Sequence, residues 1–221
     1  YAKWNSTITY DANQATSGTV PSPTTATGTS ANTTLATNSG TLARTGYTFA
    51  GWNTASNGSG TSYAAGLTTY TSTGNTTLYA QWNSTITYNG NGNSGGTAPT
   101  ATIAKGSAAN TTLANAGTMT RTGYSFAGWN TAADASGTDY ASGLTTYQSS
   151  GNITLYAKWT ANTYTITFDS NTATSGSVPA NGSYTTGGAA YTVPGNTGSL
   201  VLAGNTFAGW NSAANGTGTT Y

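Results

Sequence analysis

Apolar positions along this chain are sparse and fall in short alternating runs. In "STITY" (Ser6–Tyr10), Ile8 and Tyr10 take one side and Thr7 and Thr9 the other, which predicts a half-buried strand. The run returns at Ser84–Tyr88, and "TYTITF" at Thr163–Phe168 follows the same logic. Each run leads into a turn rich in Gly, Asn and Ser. A second strand is predicted at "TTLYAQW" (Thr76–Trp82) and at "ITLYAKW" (Ile153–Trp159), where Thr, Tyr, Ile and Trp favour extended backbone. Between these strands lies "GYTFAGWNT" (Gly46–Thr54), with copies "GYSFAGWNT" at Gly123–Thr131 and "GNTFAGWNS" at Gly204–Ser212. Leu35, Leu42 and Tyr47 fit a short helix or a strand, and spacing alone does not separate the two.

The recurrence is a tandem repeat. Trp52, Trp129 and Trp210 lie 77 and 81 residues apart, and Trp4, Trp82 and Trp159 lie 78 and 77 apart. The period of about 78 residues suits a small domain rather than one solenoid turn. Residues 44–82 and 121–159 share 29 of 39 positions. The division that follows is 1–4 as the closing strand of a preceding repeat, 5–82, 83–159, and 160–221 lacking its closing strand. The stretch without a counterpart in the third repeat is 64–78. The expectation is an excerpt from a longer array, or a subunit whose N-terminal strand completes a neighbour's open repeat by strand donation. Only "NST" separates Trp82 from Ile86, too short for a floppy tether; "TANTYT" separates Trp159 from Ile166 and predicts a looser joint.

The large side chains that recur at fixed places form the expected core. They are Ile8, Phe49, Trp52, Tyr63, Leu78 and Trp82 in the first repeat. Ile86, Phe126, Trp129, Tyr140, Leu155 and Trp159 serve the second, and Ile166, Phe207 and Trp210 the third. A unit of this size has few other large apolar groups to bury. Tyr70 and Tyr147 lie near loops and are expected as surface contacts. Gly51 is expected to permit close backbone approach. The tyrosine of "GYTFAGWNT" becomes Asn205 in the third copy while Phe207, Gly209 and Trp210 persist, so Phe and Trp are the anchors and the tyrosine position is free to vary.

Composition narrows the chemistry. Ser and Thr make up 74 of 221 residues, and charged residues are 4%, which is not the signature of a solvated disordered chain. Five scattered basic residues (Lys3, Arg44, Lys105, Arg121, Lys158) do not make a nucleic-acid surface. No apolar run reaches the ~18–20 residues of a membrane helix. The chain has no His and no Glu, and its carboxylates are Asp11, Asp134, Asp139 and Asp169. General acid–base chemistry draws on His or paired carboxylates, so no enzyme, cofactor or metal is expected. "DANQATSG" and "DSNTATSG" faintly resemble oxygen-rich calcium loops, but Asn89 opens the second copy and a plain turn is the expectation. A Lys158 crosslink to Asn is disfavoured because Gln81 stands at that position in the first repeat.

The pattern Arg-Thr-Gly-Tyr-x-Phe-x-Gly-Trp followed by Leu-Tyr-Ala-x-Trp stands at Arg44–Trp52 with Leu78–Trp82, and at Arg121–Trp129 with Leu155–Trp159. With the opening "TITFDSN" (Thr165–Asn171), it resembles the Listeria–Bacteroides repeat, the B-repeat of internalin-type bacterial surface proteins. The resemblance implies mainly β architecture built from β-grasp-like small α+β units on secreted or cell-wall-attached proteins. The third repeat departs from the pattern with Leu202 and Asn205. The expectation is an extracellular, non-catalytic structural array forming a stalk, fibre or sheath, whose partners are neighbouring repeats or identical chains. The alternative is an adhesin that binds glycans or a host surface through exposed aromatics.

Overall fold

A computed structural model describes residues 2–28, 32–106 and 110–221. Among these the regular structure is all strand, with no helix. The α+β expectation is corrected on this point. Residues 34–47, between the first strand pair and the aromatic segment, carry Thr, Asn and Gly, all poor helix formers. The Asn38 side chain turns the backbone instead: its oxygen accepts from Leu42 N–H at 2.7 Å and its amide donates to Leu42 C=O at 2.9 Å. Leu35 and Leu42 are buried from irregular backbone, neither helix nor strand.

The first repeat comprises β1 (Asn5–Asp11), β2 (Thr24–Thr27), β3 (Asn32–Thr33), β4 (Thr48–Asn53), β5 (Ser62–Tyr63), β6 (Tyr70–Thr71) and the first half of β7 (Thr76–Asn89). β1 pairs antiparallel with β2 and parallel with β7, and β4 runs antiparallel between β7 and β5. A separate short pair joins β3 to β6. The second repeat reuses the plan with β8 (Thr102–Lys105), β9 (Tyr124–Asn130), β10 (Asp139–Tyr140) and β11 (Ile153–Ala161). Here β7 pairs antiparallel with β8 and parallel with β11, and β9 lies between β11 and β10. Repeats one and two therefore share one sheet of nine strands among the described residues.

β7 is the shared member. It closes the first repeat with Thr76–Asn83 and opens the second with Asn83–Asn89. Leu78, Ala80, Trp82, Ser84, Ile86 and Tyr88 are all buried and all sit at even positions. Because Trp82 and Ile86 are four residues apart, the period-2 alternation stays in phase across the joint and both cores use the same face. At the other joint, Trp159 and Ile166 are seven apart, an odd number. On one straight strand they would face opposite sides, and the strand breaks at Asn162, between β11 and β12 (Thr163–Ile166).

The chain divides into two compact units, Tyr1–Arg121 with Phe126–Trp159, and Thr122–Ser125 with Thr160–Tyr221. In the second unit β12 pairs antiparallel with β13 (Gly182–Thr185). The rest of that repeat is irregular, pinned by isolated bridges Ser175–Val201 and Asn211–Thr220.

Candidate functional site

Each closed repeat is centred on one tryptophan. Trp52 and Trp129 are wholly buried, and their indole N–H groups donate to Ala36 and Ala114 C=O at 2.8 Å. Tyr10 packs on Trp52 at 4.6 Å between ring centroids, and Tyr88 on Trp129 at 4.7 Å. Phe49 meets both Trp52 and Trp82 edge-on, and Phe126 meets Trp129 and Trp159 likewise. Ile8, Leu78, Trp82, Ile86 and Leu155 are buried, while Phe49, Tyr63, Phe126, Tyr140 and Trp159 are partly buried against these clusters. Gly51 sits at φ 116°, where a Cβ would lie 2.4 Å from Tyr63 C=O, so the bulge between Phe49 and Gly51 requires glycine.

Tyr70 and Tyr147 are not surface residues; they are 8% and 5% exposed. Tyr70 pairs with Thr33 in the β3–β6 ladder and meets Tyr63 edge-on at 5.0 Å; Tyr147 bridges Thr111 and meets Tyr140 at 5.1 Å. Burial, then the neighbouring tyrosine, pushes both hydroxyls above their ordinary pKa. A two-residue strand is too short for alternation to reveal its buried side.

The residue that sequence reasoning missed is the asparagine after each tryptophan. Asn53 and Asn130 are 1% exposed. Asn53 Oδ1 accepts from Ala55 N–H at 2.8 Å, and its amide donates to Gly60 C=O and Ser62 Oγ at 3.1 and 2.9 Å. Asn130 repeats this with Ala132 N–H and Gly137 C=O, and Asn211 with Ala213 N–H and Gly218 C=O. The next hydroxyl (Thr54, Thr131 or Ser212) accepts from the backbone N–H seven residues on. The recurrence of "GWN" with Thr or Ser in all three copies was the available signal. Gln81 accepts from Ser62 at that loop, and in the second repeat Lys158 pairs there with Asp139 instead. Lys158, then Asn130, holds the Asp139 carboxyl below its ordinary pKa.

Asp11, Asn89 and Asp169 each accept from the backbone N–H two residues on. This turn needs only a carbonyl-type oxygen, which is why Asp and Asn interchange. No group of three or more His, Cys, Asp or Glu lies together among the described residues.

The tyrosine of "GYTFAGWNT" has a role that packing within one repeat does not explain. Tyr47 hydroxyl donates to Ser149 C=O of the second repeat at 3.1 Å, and Asn152 N–H donates to Gly46 C=O at 2.7 Å. Arg44 lies over the Tyr47 ring at 4.1 Å and holds it. Tyr47→Phe is expected to keep the ring contact and cost about 0.5–1.5 kcal/mol of coupling between repeats one and two. Urea unfolding followed by tryptophan fluorescence measures it as an earlier midpoint at unchanged core burial.

The third repeat keeps the central parts. Trp210 N–H donates to Pro194 C=O at 2.8 Å, and Phe168 and Phe207 pack on Trp210 at 4.8 and 5.2 Å. Yet Ile166 and Trp210 are only half-buried and Phe207 is 37% exposed. These side chains line a cleft of about 1040 Å³.

The Listeria-Bacteroides repeat domain model matches at residues 7–81, 85–158 and 164–221. A relative from Evansella cellulosilytica, provisionally named a Gly-rich membrane protein, is 38% identical over 173 residues, 75% of this chain and 20% of its own length. Another from that organism, provisionally named a membrane protein, is 43% identical over 91 residues, 40% of this chain and 14% of its own length. The chain thus spans about a fifth or less of these relatives. Among the described residues no helix is long and apolar enough to cross a membrane. The three matches cover nearly all of the sequence, and the chain belongs to the Listeria-Bacteroides repeat family.

Proposed function

We propose that this chain is a structural section of a bacterial cell-surface protein, a non-catalytic stiff array whose role lies in reach and resistance to load. The observation that carries this reading is β7, one strand of 14 residues that belongs to two repeats at once. A load along the chain cannot open the joint without breaking sheet hydrogen bonds on both sides of it. Family membership and the membrane-protein names of the relatives support a surface location. The adhesin reading loses its first candidates, because Tyr70 and Tyr147 are buried.

The test is to stretch the full chain between its ends with optical tweezers. Repeats one and two are expected to release together, in one step of about 540 Å rather than two of about 270 Å, at ~3.5 Å per residue. Two separate steps, with specific retention of the chain on a glycan array, would replace the stalk by the adhesin.

A further inference from the structure

Five asparagines of this chain are followed by glycine: Asn57, Asn89, Asn91, Asn181 and Asn215. We propose that two of them, Asn57 and Asn215, are sites of spontaneous deamidation, and that the aspartate formed is a residue their loop already accommodates. The second repeat carries Asp134 at the same place in the loop. Asn57 Oδ1 accepts from the Ser59 N–H and hydroxyl at 3.0 and 2.7 Å, and Asn215 Oδ1 from those of Thr217 at 3.1 and 2.7 Å. Asp134 Oδ1 accepts from those of Ser136 at 3.0 and 2.6 Å. One oxygen makes both bonds in each copy, so the loop does not distinguish an amide from a carboxylate. The Ser136 hydroxyl, then its N–H, holds the Asp134 carboxyl below its ordinary pKa. An aspartate at 57 or 215 gains the same two charge-assisted bonds.

The following residue decides whether a site reacts. Gly58 and Gly216 lie at φ 77° and 76°, and a Cβ on Gly58 would stand 2.6 Å from Gln81 Nε2. Where Lys158 replaces Gln81 and pairs with Asp139, Ala135 takes the place of that glycine, beside an aspartate. Asparagine thus stands before glycine in this loop, and aspartate before alanine. With no Cβ in the way, the Gly58 nitrogen gives up its proton and attacks Asn57 Cγ. The new N–C bond forms, the Cγ–Nδ2 bond breaks, and the amide nitrogen takes up a proton and leaves as ammonia, the chemistry that makes asparagine thermolabile. Water then opens the cyclic imide, at one carbonyl to aspartate and at the other to isoaspartate. Isoaspartate lengthens the backbone between Thr54 and Thr61, which are bonded across the loop, and is the product that loosens it. Both asparagines are exposed, and each attacking nitrogen is restrained by a turn bond of 3.0 Å, Gly58 to Ala55 C=O and Gly216 to Ala213 C=O. Such surface turns open readily. Each conversion adds one negative charge, so reaction at both sites takes the net charge from +1 to −1.

Asn91 has the same neighbour and the opposite fate. Its Nδ2, the atom that would leave, donates to Ala133 and Ala157 C=O at 2.8 and 2.9 Å. These bonds fix the side chain, and a carboxylate there would face two carbonyl oxygens. Asn89 and Asn181 precede glycines held by the fold. Gly90 is buried and accepts from the Trp159 indole, and Gly182 pairs with Ile166 in the β12–β13 ladder.

The test incubates the full 221-residue chain at mildly alkaline pH, folded and separately in urea, and follows amide loss at each asparagine by peptide mass spectrometry. In the folded chain Asn57 and Asn215 are expected to convert at least ~10-fold faster than Asn91, a difference that urea abolishes. Asn57→Asp is expected to leave the melting temperature of repeats one and two unchanged, and Asn91→Asp to lower it. Equal rates at Asn57 and Asn91 in the folded chain would overturn the proposal, as would an Asn57→Asp variant that melts as early as Asn91→Asp. The reaction does not depend on the stalk reading, and neither result touches the single-step release of repeats one and two.

Discussion

Trp52→Ala is expected to cost the first repeat about 3–5 kcal/mol, the range for emptying a fully buried aromatic site. The estimate belongs at the upper end because Trp52 is 0% exposed and its ring is gripped by Tyr10 and Phe49. Its N–H also satisfies Ala36 C=O, which the variant leaves without that partner. Domains of this size hold only about 5–15 kcal/mol in all, so the first repeat should be largely lost on mild warming. The informative part is what happens next door. β7 passes from one core into the other, so melting of the first repeat strips the parallel neighbour β1 and the antiparallel neighbour β4 from half of that strand. The second repeat should therefore unfold earlier too, although none of its own residues has changed. Hydrogen exchange resolved by repeat measures this: protection at Ile86–Tyr88 should fall with that at Ile8–Tyr10. Unchanged protection in the second repeat would show that the shared strand transmits little.

Inserting one serine between Asn83 and Ser84 is expected to separate the two repeats energetically, and inserting two is expected to spare most of the coupling. One extra residue moves Ile86 from an even to an odd position relative to Trp82. Every inward side chain of the following strand would then point to solvent unless β7 breaks. Breaking it withdraws the alignment on which Tyr47–Ser149 and Gly46–Asn152 depend. Those two hydrogen bonds are together worth about 1–3 kcal/mol. Denaturant unfolding should change from one transition for repeats one and two to two transitions with shallower slopes. With two residues inserted the alternation returns to phase and a single transition should persist. Equal behaviour of the two insertions would refute the phase argument.

The buried aromatic set was readable because packing demands large groups and this chain has few, so their recurrence marked the cores. Turn chemistry hid the rest. Asn53 reads as one more asparagine among 22, and only the folded loop reveals that its amide and carbonyl meet the backbone of Gly60 and Ala55 and the side chains of Ser62 and Gln81 at once. Tyr70 reads as a loop residue because the strand that buries it pairs with β3, which lies far away in the sequence and is only two residues long. The role of Tyr47 is hidden in the sequence because its partner, Ser149, is 102 residues on, and no local pattern announces a contact across a joint.

Spacing and identity of residues along the chain were enough to read the period, the main strands, the anchoring aromatics and the absence of a spacer at the first joint. These depend on local alternation and on counting, both of which are one-dimensional. The tertiary structure decided that residues 34–47 form no helix, and that the tyrosine before the aromatic strand belongs to the interface between repeats. Each of these outcomes turns on which distant segment fills a given space, and that competition is settled only when the strands have paired.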